Sequence, residues 1–424
     1  MKIAVIGGGW AGLAAAVRAT EAGHATTLFE MARQLGGRAR TVAADDQVLD
    51  NGQHILIGAY SHCLALMRTV GCDVGAVLDR RPLELRYPDG RGLRMPAGPA
   101  GLALAWAIAR CRGWTTRDRL SLMGAATQWA LSGFRCHPAL SVAELCSGLR
   151  PAVRRMLIDP LCVAALNTPA EQASAQVFLR VLADALFGGA GSADLLLPRR
   201  PLGELLPEPA RAWLDERGAR MVMGRRVLAL QNDAPTWLVD GERFDRVILA
   251  CSAAEASRLA EGSAPDWARL TAELRYQPIV TVYLQCDGAS LPAPMTALVE
   301  GPRAPAQFAF DHGALGSTPG RFAFVISGAG SWLSEGQEAL ASAVRAQAAV
   351  ALQPVARVPN LRLLRVMAEK RATFACSPGL LRPPARLVPG LFAAGDYVQG
   401  PYPATLEGAV RSGEDAVGLA IEAA

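Results

Sequence analysis

A glycine-rich hexapeptide close to the start of the chain, Gly7-Gly8-Gly9-Trp10-Ala11-Gly12, narrows what its neighbours can build more than any other segment. It fits the pattern GxGxxG. The residues before it, Lys2 to Ile6, read as a buried parallel strand, and the alanine-rich run from Trp10 to about Ala22 reads as a helix that Gly23 ends. Thr26 to Glu30 reads as a second strand, which completes βαβ grammar. Gly7 allows a tight turn after the strand, Gly9 lets backbone approach a pyrophosphate, and Gly12 lets the helix pack closely on the sheet. The helix N-terminus then offers N–H groups and a partial positive charge to phosphates. Glu30 ends the second strand 18 positions after Gly12, where a carboxylate can accept both ribose hydroxyls of an adenosine half.

Two further segments suit the same ligand. Leu35-Gly36-Gly37-Arg38-Ala39-Arg40 follows Glu30 at short range; Gly36 and Gly37 let the loop pass close to a dinucleotide, and Arg38 can neutralise a phosphate. Near the other end, Leu391 to Ala394 reads as a core strand running into Gly395-Asp396, and Tyr402 to Ala409 opens a last helix from Ala404 to Ala423. Strand-like runs at Ala219–Leu230, Trp237–Val239 and Arg246–Ala250 lie between them. Tyr276–Cys286 and Arg321–Ser327 read as strands of a second sheet, and Ser334–Leu352 as a helix. The expectation is an α/β protein with a Rossmann-type domain assembled from residues 1–80, 215–265 and 385–424. A second domain of mixed sheet and helices would be built from residues 81–214, mostly helical, and 266–384.

Composition removes other classes. With 51% apolar and 19% charged residues the chain forms a core, and its net charge of +5 is modest for 424 residues. There is no basic run with interleaved aromatics, so nucleic acid is not an expected partner. Nine scattered cysteines, with no CxxC and no His at metal spacing, suit a reducing cytosol and no metal site. Lys2 leads straight into the first strand, with no signal-peptide pattern. The longest uninterrupted apolar stretch, Ala97 to Ala109, is shorter than the roughly 20 residues a bilayer span needs. It reads either as a buried helix or as an interfacial helix, its ends marked by Arg94, Arg110 and Arg112.

These motifs, in this order over essentially the whole chain, resemble those of the flavin-containing amine oxidase and phytoene desaturase group. The resemblance implies FAD, with contacts at Ala11, Glu30, Arg38 and Asp396, and an adenine contact through the backbone of Val227. Asp50-Asn51-Gly52-Gln53-His54 through Tyr60, Leu161 through Pro169 and Asp194 through Pro198 are similar to segments of squalene-associated desaturase-like proteins, the hydroxysqualene dehydroxylase family of bacterial hopanoid synthesis. That narrower likeness implies an isoprenoid substrate and replacement of an allylic hydroxyl by hydrogen, with a hydride from flavin N5 quenching an allylic cation. Candidate acids for the departing hydroxyl are His54, Tyr402, Asp194 and Asp159, and the residues do not choose among them. Two departures stand out. No lysine falls in the substrate-facing strands, and no Cys or His sits where it could attach flavin covalently; Cys376 lies too far upstream of Gly395. The alternatives are a polyene desaturase using FAD as oxidant and, in another class, a prenyl-binding protein without catalysis. The sequence names no electron donor.

Overall fold

Ile3 to Ile6 form a strand because both of its faces are covered, and the two-residue period of a strand sends alternate side chains to different cores. Ile3 and Val5 pack among helices; Ala4 and Ile6 pack with Phe29, Val247 and Trp237 on the opposite face. In the computed structural model, which describes residues 1–44, 47–352 and 361–422, this strand lies inside a six-stranded sheet. The order is Arg220–Met223, Ala25–Glu30, Lys2–Ile6, Arg246–Leu249, Leu391–Ala393, Arg386–Val388. All neighbours run parallel except the last pair. Helices Trp10–Glu21 and Leu406–Glu422 cover one face. An antiparallel meander of Leu230–Asp233, Thr236–Val239 and Glu242–Phe244 covers the other, with Phe244 edge-on to Phe29 at 5.9 Å between ring centroids. A Cβ on Gly12 would overlap the carbonyl oxygen of Gly7, so the first helix can start this close to its strand only with glycine there.

The second sheet is five-stranded, in the order Met295–Ala297, Phe308–Asp311, Arg321–Ser327, Tyr276–Gln285, Arg362–Phe374, with antiparallel pairings. Along Tyr276–Gln285, Val280, Val282 and Leu284 pack against Leu340 and Val344 of helix Gln337–Ala351. Ile279 and Tyr283 belong to the core on the other face, and so face the helical layer. That layer includes helices Ala100–Arg110, Thr116–Leu131, Asp159–Leu166 and Ala175–Phe187. Asn167 ties it to the sheet. It ends its helix in the left-handed region (φ 47°), a conformation that asparagine tolerates better than most residues. Its amide donates to Gln277 O at 3.3 Å and Thr373 Oγ1 at 2.9 Å and accepts the Gly328 N–H at 2.8 Å.

Local expectations were revised where glycine intervened. The strand expected over Ala219–Leu230 is Arg220–Met223 alone, because Gly224 turns the chain with φ 69°. The helix expected from Ser334 to Leu352 divides at Gly336 (φ 98°) into Gly330–Glu335 and Gln337–Ala351. The largely helical stretch 81–214 also contains the short strands Glu84–Arg86, Gly92–Arg94 and Leu195–Pro198. The last helix begins at Leu406, not Ala404, whose φ is +58°, and the expected end at Ala423 lies outside the described residues.

Asp50 joins the two halves. Its side chain accepts from Thr41 Oγ1 and the Leu202 N–H, both at 2.9 Å, and its carbonyl accepts from Tyr283 OH at 3.0 Å. Burial pushes its pKa up to about 6, against the opposing pull of those donors. A carboxyl with a raised folded pKa favours folding while protonated, so its contribution falls as pH rises from about 4 to about 6. Asp50→Asn keeps the acceptor and removes the charge. It should match the wild type near pH 4 and exceed its stability by roughly 3 kcal/mol at pH 7. Urea unfolding at both pH values checks this, and a variant weaker at pH 7 would mean that the buried charge stabilises the fold.

Candidate cofactor and substrate cavity

One cavity of about 1050 Å³ runs from the glycine loop to the helical layer. It is at the upper end of the roughly 300–1,000 Å³ common for small-molecule sites, which suits two ligands end to end. Its first arm is polar. Gly7, Gly9, Trp10 and Ala11 border it, and the helix N-cap at Gly9 has no side-chain partner, so the first-turn N–H groups are not capped from within the helix. The GGR loop closes over this arm, and a Cβ on Gly37 would meet Gly9 Cα at 3.1 Å. Gly12 stands behind the loop as a packing residue and does not border the cavity.

Glu30, 8% exposed, sits at one end of this arm. Its Oε2 accepts the Gly8 N–H at 2.6 Å and its Oε1 accepts the Ala32 N–H at 2.7 Å, which fixes the carboxylate with lone pairs to spare. Val227 also borders the cavity, with its carbonyl held by Arg258 at 2.6 Å. At the other end, Arg38 and Asp396 form an ion pair, and Arg38 also donates to Ala372 O at 2.6 Å. The sequence suggested a phosphate partner for Arg38; in the structure its guanidinium pairs with the Asp396 side chain, which joins the two motifs. Gly395 lies beside them. The Tyr397 hydroxyl is buried without a partner and its residue lines this arm. A dinucleotide therefore fits the residues present: uncapped helix N–H groups, a fixed carboxylate, and an orphaned hydroxyl beside Asp396.

The second arm is apolar. Leu104, Ile108, Leu157, Met295, Phe310 and Met367 are among its walls. His54 and Tyr402 line the cavity; Asp194 and Asp159 do not. In the turn before strand Leu195–Pro198, Ala193 lines the cavity, whereas Asp194 pairs with Arg80 at 2.7 Å, so its expected place as an acid at the substrate is corrected. Burial lowers the His54 pKa to about 4, although its Nδ1 contact with Gly52 O at 3.3 Å acts the other way. The ring is therefore neutral at pH 7. Because a carbonyl can only accept, Nδ1 carries the proton and Nε2 is an acceptor. That geometry suits His54 to receive a hydrogen bond rather than to give up a proton. The Tyr402 phenol is pushed up by burial and then by Asp184, and the Arg411 guanidinium lies 4.7 Å from its ring centroid.

Sequence reasoning missed Glu369, Arg371, Asp184 and Tyr397, all of which line the cavity. Glu369 accepts from Asn51 at 3.1 Å. The available signals were weak: Glu369 and Arg371 sit two apart on one strand, and Tyr397 directly follows Asp396. Among the described residues no cluster of metal-ligating side chains occurs.

The family model described as flavin containing amine oxidoreductase matches residues 10–421. A hydroxysqualene dehydroxylase of Rhodopseudomonas palustris is 31% identical, covering 99% of this chain and 98% of its own length. A zeta-carotene desaturase of Synechocystis is 26% identical over 98% and 96%. In fold, the chain resembles cyclohexylamine oxidase from Brevibacterium oxydans, with a TM-score of 0.71, 17% identity, and coverage of 99% and 98%.

Replacing Glu30 with alanine removes an acceptor at the end of the polar arm and releases the Gly8 and Ala32 amides. Charge-assisted hydrogen bonds are worth about 1.5–3 kcal/mol, so dinucleotide affinity should fall about 10- to 100-fold. Turnover at saturating cofactor should change less. Titration of acid-stripped protein with the cofactor reads this, and unchanged affinity would remove Glu30 from the site.

Proposed function

The chain belongs to the flavin containing amine oxidoreductase family, and on that premise we propose that it reductively dehydroxylates hydroxysqualene to squalene. The observation that carries this reading is the continuity of the cavity, whose dinucleotide arm opens directly into an apolar arm between helices and sheet. The relative with the matching printed activity spans nearly the whole chain. In this reading the cofactor is FAD, held without a covalent bond. Cys376 is 2% exposed and does not line the cavity; Cys251 does, and burial pushes its thiol up to about 12.

The bound flavin supplies hydride-transfer chemistry. The chain does the rest. Departure of the allylic hydroxyl as water takes one proton, for which Tyr402 is the remaining cavity-lining candidate, and leaves a delocalised cation that water or a nucleophile would trap. Leucine, methionine and phenylalanine walls limit access of bulk water and hold the carbon skeleton in place. Anaerobic incubation of the reduced, flavin-loaded protein with hydroxysqualene should give a product one oxygen atom lighter by mass spectrometry. A polyene dehydrogenated under oxidising conditions, with no reaction of the alcohol, would favour the desaturase activity named for the Synechocystis relative.

A lipid this apolar resides in a bilayer, and we place its entry at the helices that wall the apolar arm. No described helix is long and apolar enough to cross a membrane. Helix Ala100–Arg110 has two faces: Ala103, Ala107 and Ile108 are buried, whereas Leu102 is 73% and Trp106 44% exposed. Leu120 and Leu131 of the next helix are exposed too, at 61% and 85%, while its Leu122 and Trp129 line the cavity. Leu104 faces the cavity, so both readings of this stretch describe part of it. Exposed apolar side chains with Arg110 over Trp106 at 4.8 Å suit peripheral contact with an anionic surface, here the inner face of the cytoplasmic membrane. Wild type should sediment with anionic liposomes. Leu102→Asp with Trp106→Ser should stay folded and flavin-loaded but remain in the supernatant. A wild type that ignores liposomes would end this part of the reading.

A further inference from the structure

Besides the Tyr397 hydroxyl, two buried polar side-chain atoms on residues that line the cavity have no protein partner. Thr281, 1% exposed, lies between Ile279 and Tyr283 along the strand, and its hydroxyl is buried without a partner. The side-chain oxygen Oε1 of Gln53 is likewise buried and unpartnered. Both residues line the cavity. The segment Asp50–His54 lies against this strand, anchored by the bond from Tyr283 OH to Asp50 O. A methyl group placed on Gly52 would stand 3.7 Å from Thr281 Oγ1 and 3.8 Å from His54 Cε1, so the threonine and the imidazole border one space. The nearby amide of Asn51 is, by contrast, occupied by Glu369 and the carbonyl of Arg38.

Buried polar atoms without partners cost about 1–3 kcal/mol each and persist where a ligand completes them. The three groups are matched in kind. Thr281 can donate, and Gln53 Oε1 and His54 Nε2 accept. A hydroxyl both donates and accepts, whereas a hydrocarbon does neither. We propose that Gln53, His54 and Thr281 form the subsite for the substrate's hydroxyl, and that this subsite makes the cavity select an isoprenoid alcohol over the hydrocarbon of the same skeleton. The inference rests on the isoprenoid reading above and deepens it. It also gives a physical basis for product release, because the deoxygenated chain leaves Thr281 Oγ1 and Gln53 Oε1 unpaired. Sites built to hydrogen-bond a hydroxyl reject the analogue lacking it far more strongly than apolar pockets reject an extra methylene.

The test uses full-length, flavin-loaded protein in oxidised form, so that no turnover occurs, with hydroxysqualene and squalene as ligands in detergent micelles and flavin absorbance as the readout. Wild type should bind the alcohol at least tenfold more tightly. Thr281→Val, which keeps the shape, should reduce that preference to within about threefold by weakening the alcohol and not the hydrocarbon. Thr281→Ser should keep it. Flavin affinity and the resting flavin spectrum should be the same in all three proteins. Equal binding of the two ligands by wild type would overturn the subsite while leaving the isoprenoid reading intact; binding of neither would overturn both. A Thr281→Val protein with altered flavin affinity or spectrum would show that the hydroxyl serves the cofactor, and would equally overturn the proposal. Should that variant not fold, Gln53→Met tests the same loss of preference.

Discussion

The distance between the first helix and the first strand decides everything downstream of it. Gly12 touches the carbonyl oxygen of Gly7 so closely that no side chain fits between them. Because of that contact, the N-terminal turn of the helix reaches the end of the strand with its amides uncapped and at the cavity wall. A helix displaced by even a methyl group would move those donors away from any phosphate they are to bind. The same closeness extends to the other side of the helix. A Cβ on Gly413 of the last helix would collide with the Ala11 carbonyl oxygen, so the first and last helices meet at backbone contact.

That closure explains how motifs at opposite ends of the sequence become one site. Arg38 and Asp396 are 358 residues apart and form an ion pair whose carboxylate is 7% exposed. With the arginine side chain 39% exposed the pair adds little net stability, but removing the arginine leaves a buried carboxylate uncompensated. Its contribution is to placement: it holds the GGR loop against the turn after Leu391–Ala393. Glu30 does the same at the other end through the Gly8 and Ala32 amides. Two carboxylates thus pin the loops that border the polar arm.

The dinucleotide half was legible because each of its parts is local. A glycine that must be glycine, a strand of four buried apolar residues, and an acid at the end of the next strand are all read within thirty residues. The same holds for Gly395-Asp396 after a short apolar strand. The substrate half was not legible in this way, because its walls come from helices and strands far apart in sequence. Thr281 is one threonine in a strand, and only the arrival of Asp50–His54 against that strand makes its hydroxyl conspicuous. Asp194 shows the converse. It stands in an apolar stretch of sequence, but in the turn before strand Leu195–Pro198 it pairs with Arg80 and does not border the cavity. Its partner is 114 residues away in sequence, and the composition of its flanks could not show that.

The two helices 100–110 and 116–131 resolve a conflict that any such site faces. A cavity for a long apolar ligand must be dry inside, yet its ligand has to arrive from a phase that is itself apolar. A single helix buried on all sides would meet the first demand and block the second. Here the inward residues Ile108, Leu122 and Trp129 wall the cavity while Leu102, Leu120 and Leu131 on the same helices face outward. An outward apolar face of this kind is costly in water and gains when it meets lipid, so the elements that keep the interior dry are also the ones that a bilayer would contact. What distinguishes the interior from the bilayer is then the polar spot at Thr281, Gln53 and His54. Dispersion along the walls is similar in lipid and in the cavity, so it offers little net attraction for the skeleton. On the reading proposed above, the preference for entering would come from the hydroxyl, the one functional group that the hydrocarbon of a bilayer cannot satisfy.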